Sequence, residues 1–86
     1  MKKYKMLRIW GEFVIACTDP ADLRQIARMA EQLFPKAIIR WSSDYCFTIA
    51  ASGKANLPGG EWPLLSWILE NGWEPISGDT FRKIEV

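Results

Sequence analysis

The chain has no histidine among its 86 residues. That removes the imidazole base on which most serine and cysteine nucleophiles depend, and any zinc site needing a histidine ligand. Cysteine is scarce: Cys17 and Cys46 stand far apart, with no Cys-x-x-C pair. Neither a disulfide framework nor a metal site is expected from them. Both fall in apolar, strand-like runs and read as buried free thiols, which suits a reducing, cytoplasmic compartment. Long apolar runs are lacking as well. No segment approaches the roughly 18 consecutive apolar residues of a membrane-crossing helix, so no membrane span is expected. The basic start is followed by only a short apolar run, Phe13 to Cys17, which leads into Thr18-Asp19-Pro20; a secretory signal is not expected. Nor does one sign of charge dominate, with 11 basic and 10 acidic side chains and a net charge of +1. There is no whole-protein field to concentrate nucleic acid or anionic lipid. Lys2, Lys3, Lys5 and Arg8 near one end, and Arg82 and Lys83 near the other, read as solvated surface charge.

What the chain does have is apolar material: 49% hydrophobic, 13% aromatic, five tryptophans. That supplies the core of one domain spanning residues 1–86 and is too apolar for disorder. From Leu7 to Cys17 the odd positions read Leu, Ile, Gly, Phe, Ile, Cys, and the even ones Arg, Trp, Glu, Val, Ala. Period-two alternation predicts one long strand with its odd face buried, interrupted at Gly11. A hairpin turning at Gly11-Glu12 is the rival; it would set Phe13 and Ile15 opposite Trp10 and Arg8 and break the clean face.

Asp19 then caps a helix and Pro20 occupies its first position, where a missing N–H costs nothing. Leu23, Ile26, Ala27, Ala30, Leu33 and Phe34 form its apolar stripe, and Pro35 stops it. Ala37–Trp41 and Tyr45–Ala51 read as a hairpin about Ser42-Ser43-Asp44. A three-residue loop would pair Trp41 with Tyr45, Ile39 with Phe47 and Ala37 with Ile49. The heavier face should meet the helices; Arg40, Cys46, Ile38 and Thr48 occupy the other. Residues 52–60, rich in Gly and Pro, form a long loop and a candidate functional one. A second helix runs from about Glu61–Pro63 to Glu70 or Asn71, with Trp62, Leu65, Ile68 and Leu69 sharing a face, Leu64 and Trp67 beside it, and apolar residues nearly all round.

Asn71-Gly72 stops that helix, and the residue after such a glycine commonly packs back on the last turn. Trp73 therefore reads first as a structural plug and second as an exposed contact. Pro75 places its strand at a sheet edge. Gly78-Asp79 suits a two-residue turn that returns the chain through Thr80–Val86, with Lys83 roughly opposite Glu74. The order is strand, helix, strand, strand, helix, strand, plus one appended strand. It predicts an α+β, ferredoxin-like two-layer sandwich: an antiparallel sheet with both helices on one face.

Catalytic constellations fail. No base is placed beside a thiol or hydroxyl, and Asp19 and Asp22 share a helix start, where capping explains them. Ser52-Gly53-Lys54 echoes the end of a phosphate loop, but Thr48 stands where its first glycine belongs and Ala55 replaces the hydroxyl residue. Gly59-Gly60 before a helix could offer backbone N–H groups to an anion, but a plain flexible loop is the commoner explanation. Tyr45 and Phe47, two apart on a strand, suit base stacking, yet they are also the natural core face and lack a basic-glycine lead-in.

The run from Leu64-Leu65 through Gly72-Trp73-Glu74-Pro75-Ile76-Ser77 to Phe81-Arg82-Lys83 resembles a motif of small bacterial domains. In these a leucine-rich helix is followed by Gly-Trp-Glu, an apolar and a small residue, and a strand with an aromatic-basic pair. The resemblance covers about the last quarter of the chain and implies a bacterial, non-catalytic or unassigned protein; it transfers no activity. The expectation is a non-enzymatic module for protein interaction or assembly, homodimeric through an open sheet face, without cofactor or metal. Single-stranded nucleic acid is the alternative ligand. Contact residues are sought at Trp10, Arg40, Lys54, Gly59, Gly60 and Trp73.

Overall fold

The computed structural model describes residues 3–10, 13–51 and 63–85. The described chain is α+β, with strands β1 (Lys3–Trp10), β2 (Val14–Cys17), β3 (Ala37–Ser43), β4 (Cys46–Ala51), β5 (Glu74–Pro75) and β6 (Thr80–Glu85). Helices α1 (Pro20–Leu33) and α2 (Pro63–Glu70) follow β2 and β4. The six strands form one open sheet in the order β3-β4-β2-β1-β6-β5, and every neighbouring pair is antiparallel. This differs from the ferredoxin-like expectation in strand number and order, because the first predicted strand is two strands.

That hairpin keeps the apolar face clean. Trp10 pairs with Val14, Ile9 with Ile15 and Leu7 with Cys17. Residues 11–13 separate the strands, so odd positions meet odd positions. Phe13 takes a left-handed backbone, φ 60°, at the exit of the turn. The β3–β4 hairpin runs two residues beyond the predicted register: Trp41 meets Phe47, Ile39 meets Ile49 and Ala37 meets Ala51, with a bulge between Trp41 and Ser43. An even shift leaves each side chain on its expected face. In the last hairpin Glu74 meets Arg82, not Lys83, and Pro75 meets Phe81. Ile76 N–H donates to Thr80 O at 2.9 Å, so the turn takes in Ser77 as well as Gly78-Asp79. β5 with its proline lies at the sheet edge, as expected.

Helix α1 starts as the sequence dictates. The Asp19 carboxylate accepts from the N–H groups of Ala21 (2.9 Å) and Asp22 (3.4 Å), with Pro20 next in line. Leu23, Ile26, Ala27 and Ala30 bury the predicted stripe. In α2 the buried pair is Leu64 and Ile68, one turn apart. Leu65 and Trp67 are half-buried and Leu69 is exposed, so the buried face is rotated from the predicted one; Trp62 lies outside the described residues. Beyond α2, Gly72 has φ 92°. Its N–H donates to Leu69 O and the Trp73 N–H to Ile68 O, both at 3.4 Å. This paired closure satisfies carbonyls that the helix end would leave open.

One core lies between the helices and one side of the sheet. Leu7, Ile15, Phe47, Ile49 and Phe81 point up from the strands and meet Leu23, Ile26, Leu64 and Ile68. Each such side chain, fully buried, contributes about 1.5–3 kcal/mol. Ile39 and Phe13 pack against the same cluster, while Arg40 is exposed, so the dry side of the sheet is the predicted one. No helix of the described residues is long and apolar enough to cross a membrane.

Candidate functional site

No helix of the described residues covers the second sheet face. Alternation along β1 assigns Tyr4, Met6, Arg8 and Trp10 to it, opposite the buried Leu7. The ladders carry the face sideways. Trp10 pairs with Val14, Val14 with Thr48, and Thr48 with Arg40. Trp10 and Arg40 therefore share one row across four strands, about 14 Å apart at the usual ~4.8 Å strand spacing. A second row joins Thr80, Arg8, Ala16 and Cys46. Ile84 stands beside Tyr4, and Arg82 beside Met6.

This face mixes aromatic rings with guanidinium groups. The Arg8 guanidinium lies 4.9 Å from the centre of the Trp10 ring, and that of Arg82 lies 4.5 Å from the Tyr4 ring. Stacking of this kind holds a flat cation against the ring. Each arginine also has a carboxylate: Arg8 Nη2 lies 3.4 Å from Asp79 Oδ2 and Arg82 Nε lies 3.0 Å from Glu74 Oε2. Asp79 is held below its ordinary carboxylate range, first by the Thr80 hydroxyl and then by Arg8. Arg82 is held all the more firmly protonated by the Glu74 hydrogen bond. No described residue forms an ion pair with Arg40. In the middle of the face a shallow groove of about 510 Å³ opens over Met6 and Ala16, with Arg8 and Thr80 on one side and Tyr45 on the other.

Two sequence-derived contact residues, Trp10 and Arg40, come together on this face, together with Val14, Ile38 and Cys46. Trp73 does not join them. It is 3% exposed and belongs to the core, with Lys83 Nζ 5.6 Å from its ring centre. Its first reading, a structural plug, holds, and its second, as a contact residue, is corrected: the left-handed turn at Gly72 aims the indole back under α2. Lys54, Gly59 and Gly60 lie outside the described residues. Tyr4, Met6, Arg82 and Ile84 were missed. The even-position alternation that flags Arg8 and Trp10 extends back to Tyr4, so half of that signal was present; the other half rests on β6 lying beside β1.

The thiols offer little chemistry. Cys17 is buried and accepts a hydrogen bond from the Asp19 N–H at 3.4 Å; burial pushes its pKa up, away from the reactive thiolate. Cys46 is only half-buried, on the open face, which corrects its expected burial. Among the described residues no group of three or more His, Cys, Asp or Glu side chains is placed to hold a metal ion. Compared with protein-family models, with curated proteins and with solved structures, the chain matches none.

Proposed function

We propose that this is a non-catalytic binding module whose open sheet face takes a protein partner. One observation carries the reading: a sheet face that no described helix covers, on which exposed Tyr4, Trp10, Ile38 and Ile84 alternate with Arg8, Arg40 and Arg82. Contiguous apolar surface rimmed by charge is the usual signature of a contact site, and tryptophan, tyrosine and arginine are the residues that most often dominate one. The rings are already braced by guanidinium groups, so little side-chain freedom remains to be lost on binding. Single-stranded nucleic acid is the second reading, favoured by the same ring–guanidinium pairs. It loses one element, since Phe47 is wholly buried and only Tyr45 of the predicted stacking pair is exposed.

The test compares the immobilised chain with a Trp10→Ala/Arg40→Glu variant in extract of the native host. Trp10 is 36% exposed and Arg40 lies on the surface, so the variant should fold. A stoichiometric protein held by the first and released by the second supports the reading. Nucleic acid with that behaviour transfers support to the alternative. Equal retention by both chains removes the face from consideration.

A further inference from the structure

The two edges of the sheet are built differently. β5 is two residues long and contains a proline, a device that blunts an edge against further pairing. β3 runs for seven residues, contains no proline and has Arg40 as its sole charge. Its outward hydrogen-bonding groups follow from the neighbouring ladder. Ile49 N–H donates to Phe13 O on the β2 side, at 3.0 Å. Backbone polarity alternates along a strand, so Thr48 and Ala50 turn toward β3 and engage Arg40 and Ile38, their register partners. Ile39 and Trp41 therefore turn their N–H and C=O groups away from the sheet. Ala37 does the same, but its N–H is already held by Phe34 O at 2.9 Å.

We propose that β3 pairs antiparallel with β3 of a second copy of this chain, about a two-fold axis at Ile39. Among the registers centred on Ile38, Ile39 or Arg40, charge selects the one centred on Ile39. Outward-turned residues must face one another, which leaves only registers two residues apart. Centring the axis on Arg40 sets its guanidinium beside the partner's Arg40. Centring it on Ile38 sets Arg40 against the partner's Lys36. Centring it on Ile39 sets Arg40 beside the partner's Ile38, so no like charges meet. The backbone then closes without a conflict. Ile39 exchanges both hydrogen bonds with the partner's Ile39. Each Trp41 N–H donates to the partner's Ala37 carbonyl, and the Ala37 N–H needs nothing further. Trp41, 45% exposed and tilted 5.0 Å from Phe47, comes to lie over the small partner's Ala37. The open faces of both copies become continuous; Ile38 and Arg40 belong to both, whereas Trp10, on β1 three strands in from the edge, takes no part in the seam.

Ile38 is 47% exposed, so its replacement should leave the fold intact, which makes it the probe. Sedimentation equilibrium across a wide concentration range should show a monomer–dimer equilibrium. Ile38→Lys sets two like-charge pairs against Arg40 and should raise the dissociation constant about tenfold, while Ile38→Glu should lower it. Amide exchange at Ile39 and Trp41 should slow as the dimer fraction rises. Trp10→Ala should leave all of this unchanged, which separates failure here from failure of the open-face reading. A strict monomer overturns the proposal, and slow exchange of those two amides within a monomer would assign the edge to another part of the same chain. A dimer indifferent to the sign of charge at position 38, or one abolished by Trp10→Ala, overturns it as well.

Discussion

Lys5 ties the start of α1 to the sheet. Its Nζ lies 2.9 Å from Asp19 Oδ2 and 3.0 Å from Asp22 Oδ2, and all three side chains are partly shielded. The Lys5 hydrogen bond is the largest cause holding the Asp19 carboxyl below its ordinary value, with the Ala21 and Asp22 N–H groups adding to it. A depressed folded-state pKa gives stability that is present above the unfolded pKa and lost as pH falls through the folded one. Lys5 is raised by the same contacts, so its share is present below its unfolded pKa and fades only as pH climbs through the folded value. Lys5→Met should therefore move the Asp19 carboxyl titration, followed by NMR, upward toward the ordinary carboxylate value. It should also flatten the fall in urea midpoint below about pH 4. An unmoved titration would mean the contact is not populated. Asp19 and Pro20 were legible in the sequence because caps are local. Lys5 was not, since nothing local announces a partner so far along the chain. Trp73 was half-legible: Asn71-Gly72 gave the turn, and only the fold decides that the indole is inside.

At the scale of elements, helix ends were legible and hairpin registers were not. Gly72 shows why the ends were. A Cβ there would meet only Lys83 Cε, at an ordinary 3.6 Å, but the backbone φ of 92° resists any L side chain. Gly72→Ala should cost about 1–2 kcal/mol in urea denaturation, with Gly72→Asn costing less. An alanine variant as stable as the parent would sink the left-handed turn. Registers failed for a reason of parity. Residues 11–13 join β1 to β2 while leaving odd beside odd, so the apolar alternation runs through the fold-back as though the chain were straight. The two-residue shift in β3–β4 is silent for the same reason. The one-residue error in β5–β6 is the kind that flips faces, and there the short β5 gave no alternation to detect it. The candidate site divides likewise: Trp10 and Arg40 were found by alternation, whereas Arg82 and Ile84 depend on pairing between opposite ends of the chain.

For the whole molecule, the side of the sheet that is dry was legible and the order of the strands was not. Ile15 and Phe47 are fully buried because alternation and residue size decide which face is worth covering. No such rule places β6 beside β1. That neighbourhood has a mechanical consequence. The ladder runs from Lys3 opposite Glu85 to Arg8 opposite Thr80, so the outermost described positions sit at one end of it. Tension applied between residues 3 and 85 loads the rungs one at a time, each worth about 0.5–1.5 kcal/mol, and the sheet peels like a zip. Tension between residues 3 and 80 loads the same rungs together, in shear. Optical-trap traces should give a distinctly lower rupture force for the first attachment than for the second, and equal forces would contradict the placement of β6. A chain tethered at those outer positions would thus yield to a gentle pull, although its core is closely packed.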